Sequence, residues 1–362
     1  AAAKPYLSGW NILTGGPKVH RIVVLDTSLS MQYEGEDESL FRRSQRLAQE
    51  MLQAARPGEV FSLITMADPP QVVVGKPVVD AGGVAREIEN LEPTARGASL
   101  VDTLKAVESV VAEARQQQRD LARHEVVFFT DLAAADWQTA TTGGGADQAG
   151  VSRLLESLSA EAALLVVDVG EPDAQNIAVS DLRVVDTVAT TAEAIRLEAT
   201  VTNHGDRVAE NVVVQLVVDG REIDEQTLTL AARQSSTLVF EALAEQAAWH
   251  SLAVRMGEDA LRADDQHHLA LDVKERMRVL CVEGAPQAAR YVARALNPSG
   301  AATSPLEVVV VSEGALAEMP LDDFACVFLC NVARFTPRES EVLSQFVARG
   351  GGLVFFLGDR IL

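Results

Sequence analysis

The stretch Val23-Val24-Leu25-Asp26-Thr27-Ser28-Leu29-Ser30 decides the fold of the first part of this chain. An apolar run that ends abruptly in polar residues predicts a buried strand whose last residues emerge at the edge of a sheet. In open α/β sheets, ligands bind at the carboxyl edge of the strands. Asp26, Ser28 and Ser30 would place hard oxygen ligands there, which suit Mg²⁺ better than a soft metal. We therefore expect a metal-assisted binding surface and not an enzyme pocket.

Strand-like and helical runs alternate around this stretch, from about residue 20 to residue 170. Apolar residues recur at helical spacing over residues 40–55, and strand-like runs follow at Val60–Met66 and Glu125–Asp131. The run Val72–Val79 reads as an edge strand. Such alternation predicts an α/β fold with a doubly wound, mostly parallel sheet.

The sequence pattern changes near Pro172 and again near Met277. Between these points helical periodicity disappears, and alternating runs separated by turns such as Asp219-Gly220 predict an immunoglobulin-like β-sandwich. Beyond Met277 strands and helices alternate again, which predicts a second, incomplete flavodoxin-like α/β domain. The predicted domains are residues 18–172, 175–274 and 276–362.

The charge of the chain restricts its partners. It has 52 acidic and 31 basic residues and a net charge of −21, a field that repels nucleic acid and anionic lipid. No apolar stretch reaches the roughly 18 residues that a membrane span needs. Because the chain begins at Ala1 and stops at Leu362 just after a strand-like run, we expect a piece of a longer protein with membrane anchors outside it.

A second strand end completes a candidate site. Thr130-Asp131 follows an apolar run that is expected to lie beside the strand ending in Asp26. The signature Asp26-Thr27-Ser28-Leu29-Ser30-Met31, together with Thr130-Asp131, resembles the metal-ion-dependent adhesion site of von Willebrand factor type A domains. The resemblance implies that Ser28 and Ser30 coordinate Mg²⁺ directly, with Mn²⁺ or Ca²⁺ as substitutes. It further implies that Asp26 and Asp131 act through water and that an acidic side chain of a protein partner completes the coordination.

One loop departs from this family. The family places a threonine where Ala98 aligns, and Ser99, the remaining candidate metal ligand, lies one residue later. With Asp102 three residues further on, Ser99 reads more simply as the N-cap of a helix. Cap and strand-end chemistry is also the alternative for Asp26 and Ser28. A metal-free structural scaffold of a cell-envelope complex is therefore the alternative function.

Two further groups of polar residues are interpreted without a metal. His20 and His124 begin the strands that end in Asp26 and Asp131, and we expect them to be exposed at the opposite edge of the sheet. The cluster Asp264, Asp265, His267 and His268 is a poor zinc site, because adjacent histidines on a strand point to opposite faces.

The last quarter of the chain is predicted to be catalytically inactive. Residues 279–284 and 346–358 resemble class I glutamine amidotransferase-like domains, whose nucleophilic cysteine follows the last of these strands. Leu357-Gly358 occupies that place here, so a hydrolase or amidotransferase is the less favoured reading and we predict a protein that is not an enzyme. Cys281, Cys326 and Cys330 are interpreted as buried structural thiols.

The order of the three parts resembles the bacterial BatA-like, aerotolerance-related membrane proteins, whose sandwich is of the CARDB type. The resemblance implies a protein-interaction ectodomain at the cell membrane that faces the periplasm. It also implies transmembrane helices before Ala1 and after Leu362, and an indirect association with a MoxR-type AAA ATPase system.

Overall fold

Five strands form the first sheet of the computed structural model, which describes residues 18–118, 121, 123–134, 136–137, 146–185, 189–298, 300 and 304–359. The sheet has the order β3-β2-β1-β4-β5, and β3 alone is antiparallel to its neighbour. The strands are β1 (Val19–Asp26), β2 (Val60–Met66), β3 (Gln71–Val78), β4 (Arg123–Thr130) and β5 (Ala162–Asp168). The predicted doubly wound α/β fold is confirmed.

Helices cover both faces of this sheet. They are α1 (Leu40–Gln53), α2 (Ala81–Glu89), α3 (Leu100–Gln117) and α4 (Ala146–Glu161). Val23 and Leu25 of β1 pack against α1 and α2, whereas Ile22 and Val24 pack against α3 and α4. Because both faces are buried, β1 reads as a continuous apolar run. No helix in the described part of the chain is both long enough and apolar enough to cross a bilayer.

The candidate residues lie where this sheet changes direction. The chain leaves β1 toward β2 and β3 on one side, then crosses to β4 and β5 on the other. The crevice at such a reversal, outside the carboxyl ends of the strands, is the usual ligand position in doubly wound sheets. In the β1–β4 register Leu25 is opposite Phe129, so Asp26 and Thr130 emerge next to each other.

The edge strand β3 differs in character from the inner strands. Lys76 is exposed, and Pro77 interrupts the strand's backbone donors. Its pairing with β2 shifts register at two points.

The middle part of the chain is an antiparallel β-sandwich of two sheets, ordered β10-β7-β6 and β12-β11-β8-β9. Its strands are β6 (Ile177–Val184), β7 (Ile195–Asn203), β8 (Ala209–Val218), β9 (Arg221–Leu230), β10 (Ser235–Ala242), β11 (Trp249–Met256) and β12 (Gln266–Asp272). Asp219 and Gly220 both have positive φ, 49° and 79°, so the predicted hairpin turn is confirmed. The sequence runs did not identify β6 and β12, because polar residues such as Asp181 and His268 interrupt them.

The last part of the chain is a parallel sheet with the order β14-β13-β15-β16. Its elements are β13 (Met277–Glu283), α5 (Arg290–Leu296), β14 (Leu306–Ser312), β15 (Cys326–Cys330), α6 (Pro337–Ala348) and β16 (Gly352–Phe356). Within this part the strand order is second, first, third, fourth, which is the flavodoxin-like arrangement.

The expectation for His20 and His124 is wrong, because both side chains are buried. Their exposed fractions are 0% and 4%, and their Nδ1 atoms lie 3.0 Å apart. His20 Nε2 lies 2.9 Å from Ser62 Oγ. Burial, and secondly the charge of His124, lower the pKa of His20 to about 3, so its ring is neutral. Two neutral rings that share a hydrogen bond can be buried at adjacent strand starts, which sequence polarity alone did not indicate.

Candidate metal centre at the carboxyl edge of the first sheet

Asp26 is fixed at the end of β1 by two hydrogen bonds. Its carboxylate is 1% exposed, and Oδ1 accepts from the Ser28 backbone N–H at 2.9 Å. Oδ2 accepts from the Thr130 hydroxyl at 2.6 Å. The first bond is a local Asx-type turn that the Asp-x-Ser spacing favours. The second requires β4 to lie beside β1, so Asp26 links the two strand ends.

Thr130 was not among the predicted site residues, although its hydroxyl organises the loop after β4. Thr130 Oγ1 accepts from the Leu132 backbone N–H at 3.2 Å and from Trp137 Nε1 at 3.3 Å. Its Thr-Asp position at a strand end was visible in the sequence. That pattern did not show that the threonine, and not only the aspartate, would face Asp26.

The hydroxyls of Ser28 and Ser30 converge. Their Oγ atoms lie 3.2 Å apart, because a short 3₁₀ turn over Leu29–Gln32 begins directly after Ser28. The Leu29 backbone N–H donates to Arg96 O at 2.8 Å, which ties this turn to the loop before α3. The Ser30 hydroxyl lies close enough to the carboxylate of Asp131 to lower its pKa, and Asp131 Oδ1 accepts from the backbone N–H of Ala133 at 3.0 Å.

The carboxylates in this site are difficult to ionise. Burial is the main cause that raises the pKa of Asp26 to about 6, and the charge of Asp131 adds to it against the Thr130 and Ser28 hydrogen bonds. Burial also raises the pKa of Asp131, with a contribution from the charge of Asp168. Carboxylates that repel each other in a buried place are stabilised by a cation between them.

Asp136 is a third carboxylate that the sequence reasoning missed. It is 9% exposed, its Oδ1 accepts from the Ala98 backbone N–H at 2.9 Å, and its side chain lies close enough to Ser28 for the serine to lower its pKa. Burial, and secondly the charge of Asp131, raise its pKa. A second aspartate five residues after Asp131 was the available signal, but nothing in the spacing indicated that the loop would turn back toward β1.

Ser99 is engaged elsewhere. Its Oγ accepts from the Asp102 backbone N–H at 3.3 Å and lies 2.9 Å from Asp102 Oδ2, as the N-cap of α3. The neighbouring Ala98 packs its side chain against the apolar cluster under α3. The structure thus brings together Asp26, Ser28, Ser30 and Asp131 and leaves Ser99 at the helix start.

The site opens into a cavity of about 480 Å³ between the first domain and the sandwich. Two hydrogen bonds join these parts nearby: the Glu34 backbone N–H donates to Ala260 O at 2.7 Å, and the Tyr33 hydroxyl donates to Gln175 O at 3.4 Å. Lining residues from the first domain include Ser28, Ser30, Asp131 and Asp136, and those from the sandwich side include Asn176, His204, Arg233 and Asp264.

The donor set fits a hard divalent cation. Two hydroxyl oxygens and the carboxylates of Asp26, Asp131 and Asp136 are the oxygen ligands that Mg²⁺ and Ca²⁺ prefer, and no sulfur donor lines the described part of the cavity. A bound cation would balance the charge that now raises the carboxylate pKa values.

The cysteines of the last domain lack activation. Cys281 and Cys330 are buried, whereas Cys326 is half-buried, so the prediction of three buried thiols is wrong for one of them. Burial raises the pKa of Cys281 to about 12 and also raises that of Cys330. A thiol with a raised pKa is a poor nucleophile at neutral pH. Leu357, at the strand end where the resemblance implies a nucleophile, is 75% exposed.

Two family models match parts of the chain. The von Willebrand factor type A domain model matches residues 22–134, and the CARDB model matches residues 176–263. The two matches follow each other along the chain and support an architecture of these two kinds of domain in that order. Both families are generally non-enzymatic interaction domains, and many domains of the first family bind a metal ion at an adhesion-type site. None of the curated proteins compared with the chain matches it.

Similar solved structures each cover one part of the chain. BatB from Bacteroides thetaiotaomicron is 15% identical over 41% of this chain and 64% of its own, with a TM-score of 0.31. An aerotolerance-related membrane protein from Bacteroides fragilis is 16% identical over 35% of this chain and 63% of its own, with a TM-score of 0.26. The CARDB domain of the PF1109 protein from Pyrococcus furiosus, solved in complex with di-metal ions, is 15% identical over 27% of this chain and 88% of its own, with a TM-score of 0.25.

Proposed function

We propose that this chain, which joins a von Willebrand factor type A domain to a CARDB-type sandwich, is a non-enzymatic protein-binding module. It recognises an acidic side chain of a partner through a divalent cation at the carboxyl edge of the first sheet. The observation that carries the proposal is the convergence of the Ser28 and Ser30 hydroxyls, 3.2 Å apart, beside the carboxylate of Asp131.

The residues of the site have separate tasks in this proposal. Ser28 and Ser30 hold the cation, for which Mg²⁺ is the first candidate and Mn²⁺ or Ca²⁺ are substitutes. Asp26 orients Ser28 through the 2.9 Å bond to its backbone N–H, and Asp131 orients Ser30 through its hydroxyl. The bound cation supplies a positive centre for the partner's carboxylate. The adjacent cavity of about 480 Å³ provides room for the partner side chain that carries this carboxylate.

A second candidate function, a metal-free structural scaffold, is favoured by Asp136. The carboxylate of Asp136 already lies beside Ser28 from within the chain and accepts from the Ala98 backbone N–H. In this alternative the hydroxyls and carboxylates stabilise the loops after β1 and β4, and the cleft is a structural junction between the domains.

The cellular setting in this proposal follows from the resemblance to BatA-like proteins. The chain is the part of a membrane-anchored protein that faces the periplasm, and a MoxR-type ATPase system is an indirect partner. The last domain is glutamine amidotransferase-like and inactive, which is supported by the raised pKa of Cys281 and Cys330.

A Mn²⁺ titration of the chelator-treated chain tests the metal and the carboxylate together. We expect water-proton relaxation to report bound Mn²⁺, and acetate, as a carboxylate probe, to displace part of its water. The double variant Ser28→Ala/Ser30→Ala should lose the response to acetate, whereas Ser180→Ala, on an exposed part of the sandwich, should keep it. Absence of Mn²⁺ binding to the unaltered chain would favour the scaffold, and an acetate effect that survives the double variant would place the carboxylate-binding metal elsewhere.

A further inference from the structure

Three carboxylates meet in the loop between β11 and β12, on the sandwich. Oxygen atoms of Asp259, Asp264 and Asp265 all lie within 4.8 Å of one another. In the sequence, Asp264 and Asp265 lie close to His267 and His268. In the structure neither histidine belongs to the cluster, and their unequal exposure on β12 fits the expected opposite orientations.

Several oxygens at this place have no hydrogen-bond partner. Asp264 Oδ1, Asp265 Oδ1 and Asn176 Oδ1 are all buried and unpartnered among the described residues. Asp265 as a whole is only 5% exposed. Native proteins rarely leave buried polar atoms unpaired, because such an atom loses its hydration without compensation. Three of them in one place, one from an amide outside the acidic cluster, point to an absent ligand.

The other oxygens of the cluster hold it in shape. Both oxygens of Asp259 accept from backbone N–H groups, of Ile177 at 2.8 Å and of Leu261 at 2.7 Å. Asp265 Oδ2 accepts from the Asp259 backbone N–H at 3.2 Å. Asn176 Nδ2 donates to Asp264 Oδ2 at 2.9 Å, so the amide lies directly beside the cluster. In each of these side chains the other polar atom makes a hydrogen bond, and this bond holds the unpartnered oxygen in position.

We propose that Asp264, Asp265 and Asn176, supported by Asp259, form a second cation site, and that its ligand is Ca²⁺. Carboxylate and amide oxygens are hard ligands, and Ca²⁺ takes six to eight of them, including water, in flexible geometry. Asp264 and Asn176 also line the cavity between the domains, which gives the ion a route from solvent. Burial, followed by the charges of Asp259 and Asp265, raises the pKa of Asp264 to about 6.

The position of this loop gives the ion a structural role. Ala260, within the loop, accepts from the Glu34 backbone N–H of the first domain at 2.7 Å. Asn176 lies at the start of the sandwich, one residue after Gln175, which contacts the Tyr33 hydroxyl. A Ca²⁺ ion that orders Asn176 and the loop would fix the sandwich against the first domain, next to the proposed partner-binding cleft.

Calcium titration in a background without the first site tests this proposal independently of the proposed function. The double variant Ser28→Ala/Ser30→Ala removes the hydroxyls of the first site, and its chelator-treated full chain is titrated with Ca²⁺ by calorimetry. We expect Ca²⁺ to bind, and Asp264→Asn or Asp265→Asn in that background to weaken binding at least tenfold. Asp181→Asn, an exposed change on β6, is the matched control and should leave binding unaltered.

Hydrogen exchange provides a readout that does not depend on the folding of the aspartate variants. In the Ser28→Ala/Ser30→Ala chain, Ca²⁺ should slow exchange of the amides of residues 258–266. Absence of Ca²⁺ binding in that chain, binding that persists undiminished in Asp264→Asn and Asp265→Asn, or unchanged exchange over residues 258–266 would each overturn the proposal.

Discussion

The Thr130 hydroxyl donates a 2.6 Å hydrogen bond to Asp26 Oδ2 and so joins the ends of the two central strands of the first sheet. The Thr130 Oγ1 atom itself accepts hydrogen bonds from Leu132 N and Trp137 Nε1. One hydroxyl thus connects β1, β4 and the loop that carries Asp131 and Asp136. The candidate site depends on this bond as much as on the residues that would face a cation.

Replacing Thr130 by valine should destabilise the chain, because it keeps the shape but removes one donor and one acceptor. Asp26 Oδ2 and two N–H donors would lose their partner in a buried place. We expect the free energy of unfolding, measured in urea, to fall by about 1–3 kcal/mol. Thr237→Val, on the exposed face of β10, should change it by less than about 0.5 kcal/mol. Equal effects of the two variants would show that the Thr130 bond has no special role.

Asp136→Asn should weaken cation binding at the first site. The variant keeps a side-chain oxygen for the Ala98 N–H but removes one of three negative charges near Ser28. We expect about a tenfold rise in the Mn²⁺ dissociation constant, equivalent to about 1.4 kcal/mol. Asp173→Asn, an exposed residue beyond β5, is the charge-matched control. Tighter Mn²⁺ binding in Asp136→Asn would instead show that this carboxylate competes with the ion for the site.

His20 should make the folded state sensitive to acid. Its pKa is about 3 in the folded chain and has its ordinary value of 6.5 in the unfolded chain. The unfolded chain therefore binds more protons in this window, so the contribution is complete above pH 6.5 and is lost as the pH falls toward 3. Between pH 7 and pH 5 we expect a loss of about 2 kcal/mol from this residue alone.

A comparison of variants isolates that contribution, because the raised pKa of Asp26 acts in the opposite direction. The free energy of unfolding of His20→Gln should fall by about 2 kcal/mol less between pH 7 and pH 5 than that of the unaltered chain. His268→Gln, at an exposed position of β12, should follow the unaltered chain. The same pH slope in all three proteins would contradict a neutral, buried His20.

Arg21→Ala should be strongly destabilising. Arg21 bonds to Glu59 at 2.7 Å and to Glu125 at 3.1 Å, and the Glu125 side chain is only 1% exposed. Removing one partner leaves buried negative charge, which costs about 3–5 kcal/mol. Arg183→Ala breaks the exposed pair with Glu198 and should destabilise the chain far less than Arg21→Ala does. A small effect of Arg21→Ala on chemical denaturation would mean that Arg123, whose Nε lies 3.2 Å from Glu125 Oε1, is enough to balance the charge of Glu125.

Strand ends were the most predictable part of the site. The buried part of β1 is an apolar run over residues 22–25, and its abrupt polar end indicated Asp26, Ser28 and Ser30 from the sequence. The adjacency of β1 and β4 followed from the usual order of doubly wound sheets. Asp136 was not predictable, since its position depends on a loop that returns toward β1 through the Ala98 contact.

Side-chain polarity was misleading where polar residues are buried and hydrogen-bond to each other. His20 and His124 looked like exposed strand starts, but the parallel register places the two rings against each other. In the proposed second cation site, the amide partner of the carboxylates is also distant from them in the sequence. Asn176 lies 88 residues before Asp264, and no local spacing connects them.

The edge strand β3 determines from which side other chains can approach the first domain. An open parallel sheet would offer free backbone donors and acceptors to any passing strand, and such edges promote association. Lys76 and Pro77, with the two register shifts of this strand, prevent continuous pairing along it. Extension of the sheet on that flank is therefore blocked, so a strand from another chain cannot be added beside β3.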